Sequence, residues 1–399
     1  MKSKNYAYLL IPALYYFAVA LAWISIAIIV VNLGGDVKDY ALVNLIYNAT
    51  SAIFSSLLPR ILAGIERRQA LSISYIVLTF VYIYLYKSQT LIEVYIIHVF
   101  YGLASAMILS FQTPIFVEIF GRGKGISLMY IFSSIGWIIS LALGGYLRSY
   151  ITVKELMLLP AISSGICSIA SLLLPKTVGV VEAQKMIAFR KLFMIVIERT
   201  KRFHVLAPQL VIPKMKARLK PIDLYLIASA MIFIAASMYF SALPIYLKKI
   251  VNVSDEELYY FSTVSGIASL TAYFIQLRLS ENIEILLKLH ITALGTRLLL
   301  FIAPLIIRDA IHYYPLYFAL GITWGFIGSV QSHIIAYLAE PHRKDERFGH
   351  LNTSISIGLI LGNLLASILS ILGYEALFAV SSIIVGLSAL FINMKCRIY

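Results

Sequence analysis

The chain consists of long apolar stretches that alternate with short polar connections. A helix needs about 20 apolar residues to cross the hydrocarbon core of a bilayer. Because every backbone N–H in lipid must be bonded within its own segment, such stretches predict helices rather than strands. Twelve stretches qualify, at residues 6–32, 40–58, 70–86, 92–117, 126–147, 156–174, 222–247, 258–277, 285–307, 312–338, 349–372 and 374–394.

The composition agrees with a membrane protein. Hydrophobic residues make up 60% of the chain and charged residues 13%, which is about half the share usual in soluble domains. Cys167 and Cys396 are too few and too far apart for a disulfide framework, and no metal-ligand spacing occurs. We therefore expect neither a metal nor a cofactor.

Positive charges are distributed unevenly over the connections. With a cytoplasmic N-terminus, 25 of the 33 Lys and Arg residues face the cytoplasm, 7 lie in the opposite loops, and Arg297 lies within a span. The positive-inside rule then predicts twelve crossings with both termini cytoplasmic. We expect a multi-pass protein of the plasma membrane, in contact with its lipids.

The segment at residues 176–220 holds eleven of these positive charges. One helical face of it is apolar, formed by Met186, Phe189, Phe193, Val196 and Ile197, and Lys and Arg dominate the other. This pattern predicts a basic amphipathic helix on the inner leaflet. Nucleic-acid binding is the rival interpretation of a basic patch, but no nucleic-acid-binding fold surrounds it, so we expect no such partner.

One spacing of small and polar residues occurs twice. The stretch GLASAMILSFQT at 102–113 returns as GITWGFIGSVQS at 321–332, so a Gly, an Ile, a Ser and a Gln recur 219 positions later. In spans five and eleven, residues 136–145 correspond to 358–367 with a shift of 222. Two halves joined by a long cytoplasmic segment are typical of parallel repeats.

The repeat predicts the fold class and the domains. We expect an all-α integral membrane protein with twelve transmembrane helices in two pseudo-symmetric six-helix bundles. The bundles comprise residues 1–175 and 221–399, and residues 176–220 form the linker. We expect the protein to be a monomer.

Three further stretches have a recognisable form. Small residues follow each other in span five at Gly136, Ser140, Gly144 and Gly145, and again in span eleven at Gly358 and Gly362. The connection between spans two and three, residues 59–68, ends in Arg67 and Arg68, and residues 339–349 join spans ten and eleven. Together with the repeat, these stretches resemble the major facilitator superfamily over the whole chain. The resemblance implies helix-packing or gating roles for Gly136, Ser140, Gly144, Gly145, Gly358, Gly362, Arg67 and Arg68.

Two positions depart from that family's pattern. Ala63 replaces the acid usual between spans two and three, so the family's charge latch lacks a partner here. His98 replaces the Arg that often stands four residues before the glycine at Gly102.

The resemblance also implies that spans 1, 4, 7 and 10 line a central cavity. On a helical wheel the polar candidates of span four fall within a stripe about 60° wide, and span ten carries its candidates at seven-residue spacing. The cavity-lining candidates are Tyr16, Trp23, His98, Tyr101, Ser105, Gln112, Tyr239, Tyr317, Trp324 and Gln331. The tyrosines have interface-belt or core packing as an alternative, and the glutamines have hydrogen bonding between helices.

His98 and Arg297 are the candidates for coupling. His98 is either a satisfied neutral histidine or a group that titrates during transport, because histidine titrates near neutral pH. Arg297 must face protein, water or a ligand rather than lipid. Symporters of the lactose-permease kind also carry an Arg in span nine, beside a span-ten acid, but span ten has no acid here before Glu340. Arg297 is therefore either structural, bonded to carbonyls or Gln, or it acts in substrate binding or coupling.

The absence of carboxylates from the middle of every span limits the function. Coupling through a buried acid and selection of organic cations are both disfavoured. An aromatic lining with amides suits an amphipathic organic molecule or a neutral polyhydroxy solute, and Arg297 and His98 keep a weak acid as an option.

We predict a secondary active or facilitative transporter, not an enzyme, because the metalloprotease and hydrolase motifs and paired intramembrane acids are missing. Its partners would be a small-molecule solute and, as an option, a coupling ion. Efflux of amphipathic compounds is favoured over uptake of a neutral solute such as a sugar. A sensor without transport, signalling through the basic linker, is the further alternative.

Overall fold

The computed structural model describes residues 6–61, 65–120, 122–176, 221–279, 282–338 and 344–395. Within these ranges the chain forms helices and no β-strand. The long helices are α1 (Leu10–Asn32), α2 (Val37–Ile61), α3 (Arg67–Lys87), α4 (Leu91–Phe120), α5 (Arg122–Arg148), α6 (Leu158–Leu172), α7 (Pro221–Lys249), α8 (Asp255–Leu279), α9 (Ile283–Ile302), α10 (Tyr313–Leu338), α11 (Lys344–Leu369) and α12 (Tyr374–Lys395). The predicted amphipathic helix of the linker, Ala63 and the start of the connection after α10 lie outside the described residues.

Ten helices in the described part of the chain are long and apolar enough to cross a membrane. They are α1, α3 to α9, α11 and α12. Helix α2 is as long and carries Lys38, Asp39, Asn44 and Asn48 in its first half. The apolar character of the others follows from lipid as solvent, because a helix satisfies its own backbone there.

The packing of the helices follows the sequence repeat. Helix α1 packs on α5, α2 on α4, and α3 on α6, and the equivalent pairs of the second half are α7 with α11, α8 with α10, and α9 with α12. The main contacts between the first six helices and the last six are α2 with α11 and α5 with α8. These two contacts are also equivalent under the repeat, since α2 corresponds to α8 and α5 to α11.

Close helix approach explains why a glycine recurs in the repeated stretch. A Cβ on Gly102 would lie 2.6 Å from the carbonyl oxygen of Tyr47 in α2, and one on Gly321 would overlap the Ser265 carbonyl in α8. Only a residue without a Cβ allows backbones to meet at this distance. The repeated glycine therefore fixes the same helix contact in each half.

The connections lie on two opposite faces. The connections after α1, α3, α5, α7, α9 and α11 lie on one face, which we name the distal face. Four side-chain contacts join them: Arg148–Asp255, Lys154–Ser88, Arg308–Tyr246 and Tyr246–Tyr374. The terminal face holds the start of the described chain and is joined by Tyr6–Phe120, Arg67–Glu118 and Arg68–Leu172. By the positive-inside rule, the distal face is the predicted outer one.

Candidate functional site

Four aromatic rings form a layer where the two halves meet, and we name this layer the aromatic bridge. It consists of Trp23 in α1, Trp137 in α5, Phe240 in α7 and Trp324 in α10. Trp23 lies 5.8 Å from Trp137 and 6.2 Å from Phe240, and Phe240 lies 6.3 Å from Trp324, between ring centroids. All four rings are partly exposed. The bridge therefore presents apolar surface contributed by both halves.

Arg297 of α9 lies directly behind the bridge and is fully buried. Its Cζ lies 4.8 Å from the centroid of Trp324, 5.5 Å from Phe301 and 5.8 Å from Phe240. Contacts of this kind between a guanidinium and aromatic rings are attractive, at about 0.5–2 kcal/mol each. Three rings thus enclose the only charged Lys, Arg, Asp or Glu side chain that is buried among the described residues.

The hydrogen bonds of Arg297 leave one end of the guanidinium free. Nε donates to Thr323 Oγ1 and Nη2 donates to the carbonyl oxygen of Leu320, each at 3.1 Å. Nη1 is buried and has no hydrogen-bond partner in the described part of the chain. No carboxylate of a described residue forms an ion pair with Arg297 either. The guanidinium therefore carries unused donors and an unbalanced charge.

The tyrosine candidates of the second half lie beside the bridge but point into their own half. Tyr239 is fully buried, stacks on Phe301 at 4.1 Å, and donates its hydroxyl to the Leu300 carbonyl at 3.5 Å. Tyr317 is buried against Phe261 of α8 at 5.4 Å. Phe240, which directly follows Tyr239, contacts the first half instead. On the helical wheel of α7 the polar Tyr239 is the cavity candidate, but the adjacent apolar ring of Phe240 is the one that reaches the first half.

His98 belongs to a separate group in the first half, which we name the tyrosine cluster (Tyr47, Tyr82 and Tyr101). His98 is buried, its Nδ1 donates to the Val94 carbonyl at 2.6 Å, and its ring lies 5.7 Å from Tyr101. Because a carbonyl only accepts, this bond selects the tautomer with the proton on Nδ1. Tyr82 donates to the hydroxyl of Tyr101 at 3.2 Å, and Tyr47 packs on Tyr101 at 4.9 Å.

The other polar candidates of spans one, four and ten differ in exposure. Ser105 is fully buried, and its hydroxyl has no partner among the described residues. Gln112 and Gln331, which the repeat makes equivalent, are both buried, and the Nε2 of each lacks a described partner. Tyr16 is partly buried and meets Tyr15 edge-on at 5.1 Å. The repeat indicates that the two glutamines are equivalent, but no pattern in the sequence indicates that both amide nitrogens lack a hydrogen-bond partner.

A second set of contacts lies on the distal side, and the sequence does not indicate it. Asp255 at the start of α8 pairs with Arg148 of α5 in the other half at 2.7 Å, and with Lys248 of α7 in its own half at 2.5 Å. Ser25 of α1 shares a buried hydrogen bond of 2.7 Å with Tyr259 of α8. We name Arg148, Asp255 and Lys248 the distal latch. In the sequence its members are ordinary loop charges.

The glycine candidates for packing and gating lie in contacts between helices, whereas Ser140 bonds within α5. Gly136 of α5 meets the Ala13 carbonyl of α1, and Gly358 of α11 meets the Ala230 carbonyl of α7. The remaining members make these contacts: Gly144 with Tyr259, Gly145 with Tyr260, Gly362 with Ile234, and Ser140, which is buried, with the Trp137 carbonyl. Gly144 and Gly145 thus touch the opposite half.

On the terminal face, Arg67 pairs with Glu118 of α4 and Arg68 pairs with Glu66 at 2.6 Å. Arg68 also donates to the Leu172 carbonyl at 3.2 Å. Glu118 thus provides Arg67 with an acid at the end of α4, although Ala63 stands at the family's usual acid position. These contacts join helices of the first half.

Comparisons with known proteins give the following matches. The sequence model of the Major Facilitator Superfamily matches residues 8–344, and no curated protein matches the chain significantly. The structure is similar to that of the nucleoside transporter NupG (14% identity, TM-score 0.70, covering 98% of this chain and 99% of that one). It is also similar to a POT family transporter in complex with 5-aminolevulinic acid (12%, 0.72, 99% and 98%). A third similar structure is a bacterial homolog of the human lysosomal transporter Spinster, inward-facing and occupied (11%, 0.61, 98% and 96%).

Proposed function

Because the chain belongs to the major facilitator superfamily, we propose that it is a secondary transporter that moves a small organic solute across the plasma membrane by alternating access. One observation carries this proposal. Trp23 of the first half and Phe240 of the second half meet at 6.2 Å in the aromatic bridge, at the junction of helices that the repeat relates. A solute held there would contact both halves, so rocking of the halves would change which side can reach it.

The architecture that we propose has twelve crossings in two six-helix bundles, at residues 1–175 and 221–399. The equivalent packing pairs of the two halves support it, as does the small number of main contacts between them. The excess of Lys and Arg supports cytoplasmic termini and makes the distal face the outer one. The protein would then work as a monomer, since each chain supplies both bundles.

In the conformation described here, we propose that the path is closed on the distal side. The distal latch and the Ser25–Tyr259 hydrogen bond support this assignment, because both connect the two halves toward that face. Gly144 and Gly145 bring α5 into contact with Tyr259 and Tyr260 at the same level. Opening toward the distal side would break these contacts together.

The cavity candidates of α1, α4, α7 and α10 would line the path, with the bridge as its centre. The aromatic character of the bridge favours an amphipathic organic solute, and efflux is the direction we expect. His98, held by Val94 within the tyrosine cluster, is proposed to act in coupling rather than in contact with the solute.

Counterflow into proteoliposomes tests transport directly. Vesicles would be preloaded with one unlabelled solute, and uptake of its labelled form would be followed for a nucleoside, a disaccharide, a dipeptide and an aromatic carboxylate. We expect saturable counterflow of one class above protein-free vesicles. Net flux driven by an imposed proton or sodium gradient, in vesicles of known protein orientation, then gives the direction. Absence of counterflow for every class would contradict the proposal.

A disulfide between the halves tests alternating access. In a Cys167→Ser, Cys396→Ser background, Ile138→Cys of α5 with Gly266→Cys of α8 should form a disulfide that stops flux until it is reduced, because a Cβ on Gly266 would lie 3.0 Å from Ile138 Cγ1. The matched control is Ser72→Cys with Ser168→Cys, whose native hydroxyls lie 2.9 Å apart within the first half. That disulfide should leave flux intact. Equal flux in both oxidised proteins would contradict rocking of the halves.

A further inference from the structure

The positive charge of Arg297 has no counter-charge within the described part of the chain. The side chain is fully buried, no described carboxylate pairs with it, and Nη1 has no partner there. An uncompensated buried charge is among the costliest features that a protein or membrane interior can contain. The contacts with Trp324, Phe301 and Phe240 offset only part of that cost.

A purely structural role explains little of this arrangement. The Thr323 hydroxyl donates its one hydrogen within α10, to the carbonyl of Ala319 or Leu320, each at 2.9 Å. Both groups that accept from Arg297 therefore take part in a hydrogen bond without it. An arginine that only joined α9 to α10 would need neither a free Nη1 nor a net charge.

The free end of the guanidinium has the donors of an anion site. Nη1 donates neither of its hydrogens, and Nη2 donates to Leu320 alone among the described residues. Two adjacent N–H groups on Nη1 and Nη2 match the two oxygens of a carboxylate. A single arginine among aromatic rings suits a monoanion with an apolar body, whereas a phosphate dianion would call for further cations.

We propose that Arg297 binds the carboxylate of an organic acid whose apolar body lies against Phe240 and Trp324. This inference rests on the proposed function, because it assigns the substrate class of the same central path. Both rings are partly exposed, and Phe240 contacts Arg297 on one side and Trp23 of the first half on the other. The ligand would therefore enter from the junction of the two halves, and it supplies the counter-charge that the chain lacks.

Ligand-induced thermal stabilisation in detergent tests the site without any need for transport. The probes are benzoate, phenylacetate and indole-3-acetate, each beside its neutral amide. We expect at least one acid to raise the Tm of the wild type and its amide to have no such effect. In Arg297→Met the affinity for that acid should fall about 10- to 100-fold, as expected for hydrogen bonds to a charged group. The matched control Arg278→Met, at an exposed arginine of α8, should bind as the wild type does.

The Tm of the ligand-free variants separates a ligand site from a structural arginine. Removing an unbalanced buried charge should leave the Tm of Arg297→Met equal to that of the wild type or higher. A lower Tm with no response of the wild type to any acid would overturn the proposal, as would equal binding of acids and amides. Arg297→Lys keeps the charge without the fork and should bind the acid more weakly than the wild type.

The two proposals fail in different experiments. If no acid binds but another solute shows counterflow, the carboxylate site is wrong and the transporter remains. If an acid binds through Arg297 but no solute crosses the bilayer and the disulfide between the halves has no effect, the site stands and transport is wrong.

Discussion

Buried polar atoms in this protein are of two kinds. Most hydroxyls in the helices donate to a carbonyl of the preceding turn, as Ser25 does to Leu21 at 2.7 Å. A few polar atoms have no described partner, among them Arg297 Nη1 and the amide nitrogens of Gln112 and Gln331. An unpaired buried polar group costs about 1–3 kcal/mol. At each of these atoms, a bound ligand or a second conformation can therefore supply the hydrogen bond that is missing in this conformation.

Thr323 is the residue that orients Arg297. In Thr323→Val the Nε of Arg297 loses its acceptor at nearly constant volume, and we expect the free energy of unfolding to fall by about 1–3 kcal/mol. Thermal or denaturant unfolding in detergent measures it. Thr323→Ser keeps the hydroxyl and should resemble the wild type.

A double-mutant cycle shows whether the loss of stability in Thr323→Val comes from the lost hydrogen bond to Arg297. In the Arg297→Met background, Thr323→Val removes only the bond of the hydroxyl to the preceding turn of α10, so its cost should be clearly smaller than in the wild type. An undiminished cost in that background would mean that Thr323 stabilises α10 by itself.

The two unpaired glutamines should be more important for transport than for stability. Leucine at Gln112 or Gln331 removes a buried amide without a described partner, so we expect unchanged or slightly higher stability. Flux of the solute identified by counterflow should fall in both. Gln276→Leu is the control, because Gln276 Nε2 donates to the Gly325 carbonyl at 2.9 Å, and its loss should cost about 1 kcal/mol. A large loss of stability in the first two variants would place these amides in the packing instead.

At the scale of the helices, tight packing depends on where backbones meet. Gly136→Ala would put a methyl group onto the Ala13 carbonyl, and Gly358→Ala would put one 2.5 Å from the Ala230 carbonyl. Because backbone gives way less easily than a side chain, we expect each to destabilise by about 1–3 kcal/mol or more. Unfolding in detergent and the yield of folded protein are the measurements.

Gly295→Ala and Gly328→Ala are matched controls within helices, since a Cβ at either position would meet nothing within 4 Å. They should be neutral or stabilising by up to about 1 kcal/mol, because alanine favours the helix. If all four variants behaved alike, helix propensity rather than close approach would govern these positions.

The helices were largely predictable because lipid demands long apolar runs. The span predicted at 92–117 is α4, Leu91–Phe120, and that at 156–174 is α6, Leu158–Leu172, after the short helix Val153–Leu156. The repeat marks Gly102 as one of its recurring small residues, but the structure was needed to show that it contacts α2. Contacts such as Arg148–Asp255 and Arg297–Thr323 join residues far apart in sequence. No periodicity encodes them, so the sequence gives candidates for the lining but not the contacts that join them.

For the whole molecule, the contacts between the halves set the balance between conformations. The distal latch joins α5 to α8, which are also in contact through Gly145 and Tyr260. The exposed fraction of its side chains is between 10% and 24%, so water screens their charges only in part. The latch therefore adds a modest preference for the distally closed form rather than a fixed lock.

Asp255→Asn should shift this balance, because one neutral amide cannot hold both Arg148 and Lys248. Loss of about 1 kcal/mol from the closed form would raise the distally open population about fivefold. Spin labels at Tyr150→Cys and Ile250→Cys, two exposed sites on the distal face, would report the open population as a second, longer distance.

Glu256→Gln removes the neighbouring charge without touching the latch and should leave the distances unchanged. High salt should move the wild type in the same direction as Asp255→Asn, since the ions screen the same pairs. If the distances stay short in Asp255→Asn and at high salt, the hydrogen bond between Ser25 and Tyr259, and not the charges, keeps the distal side closed.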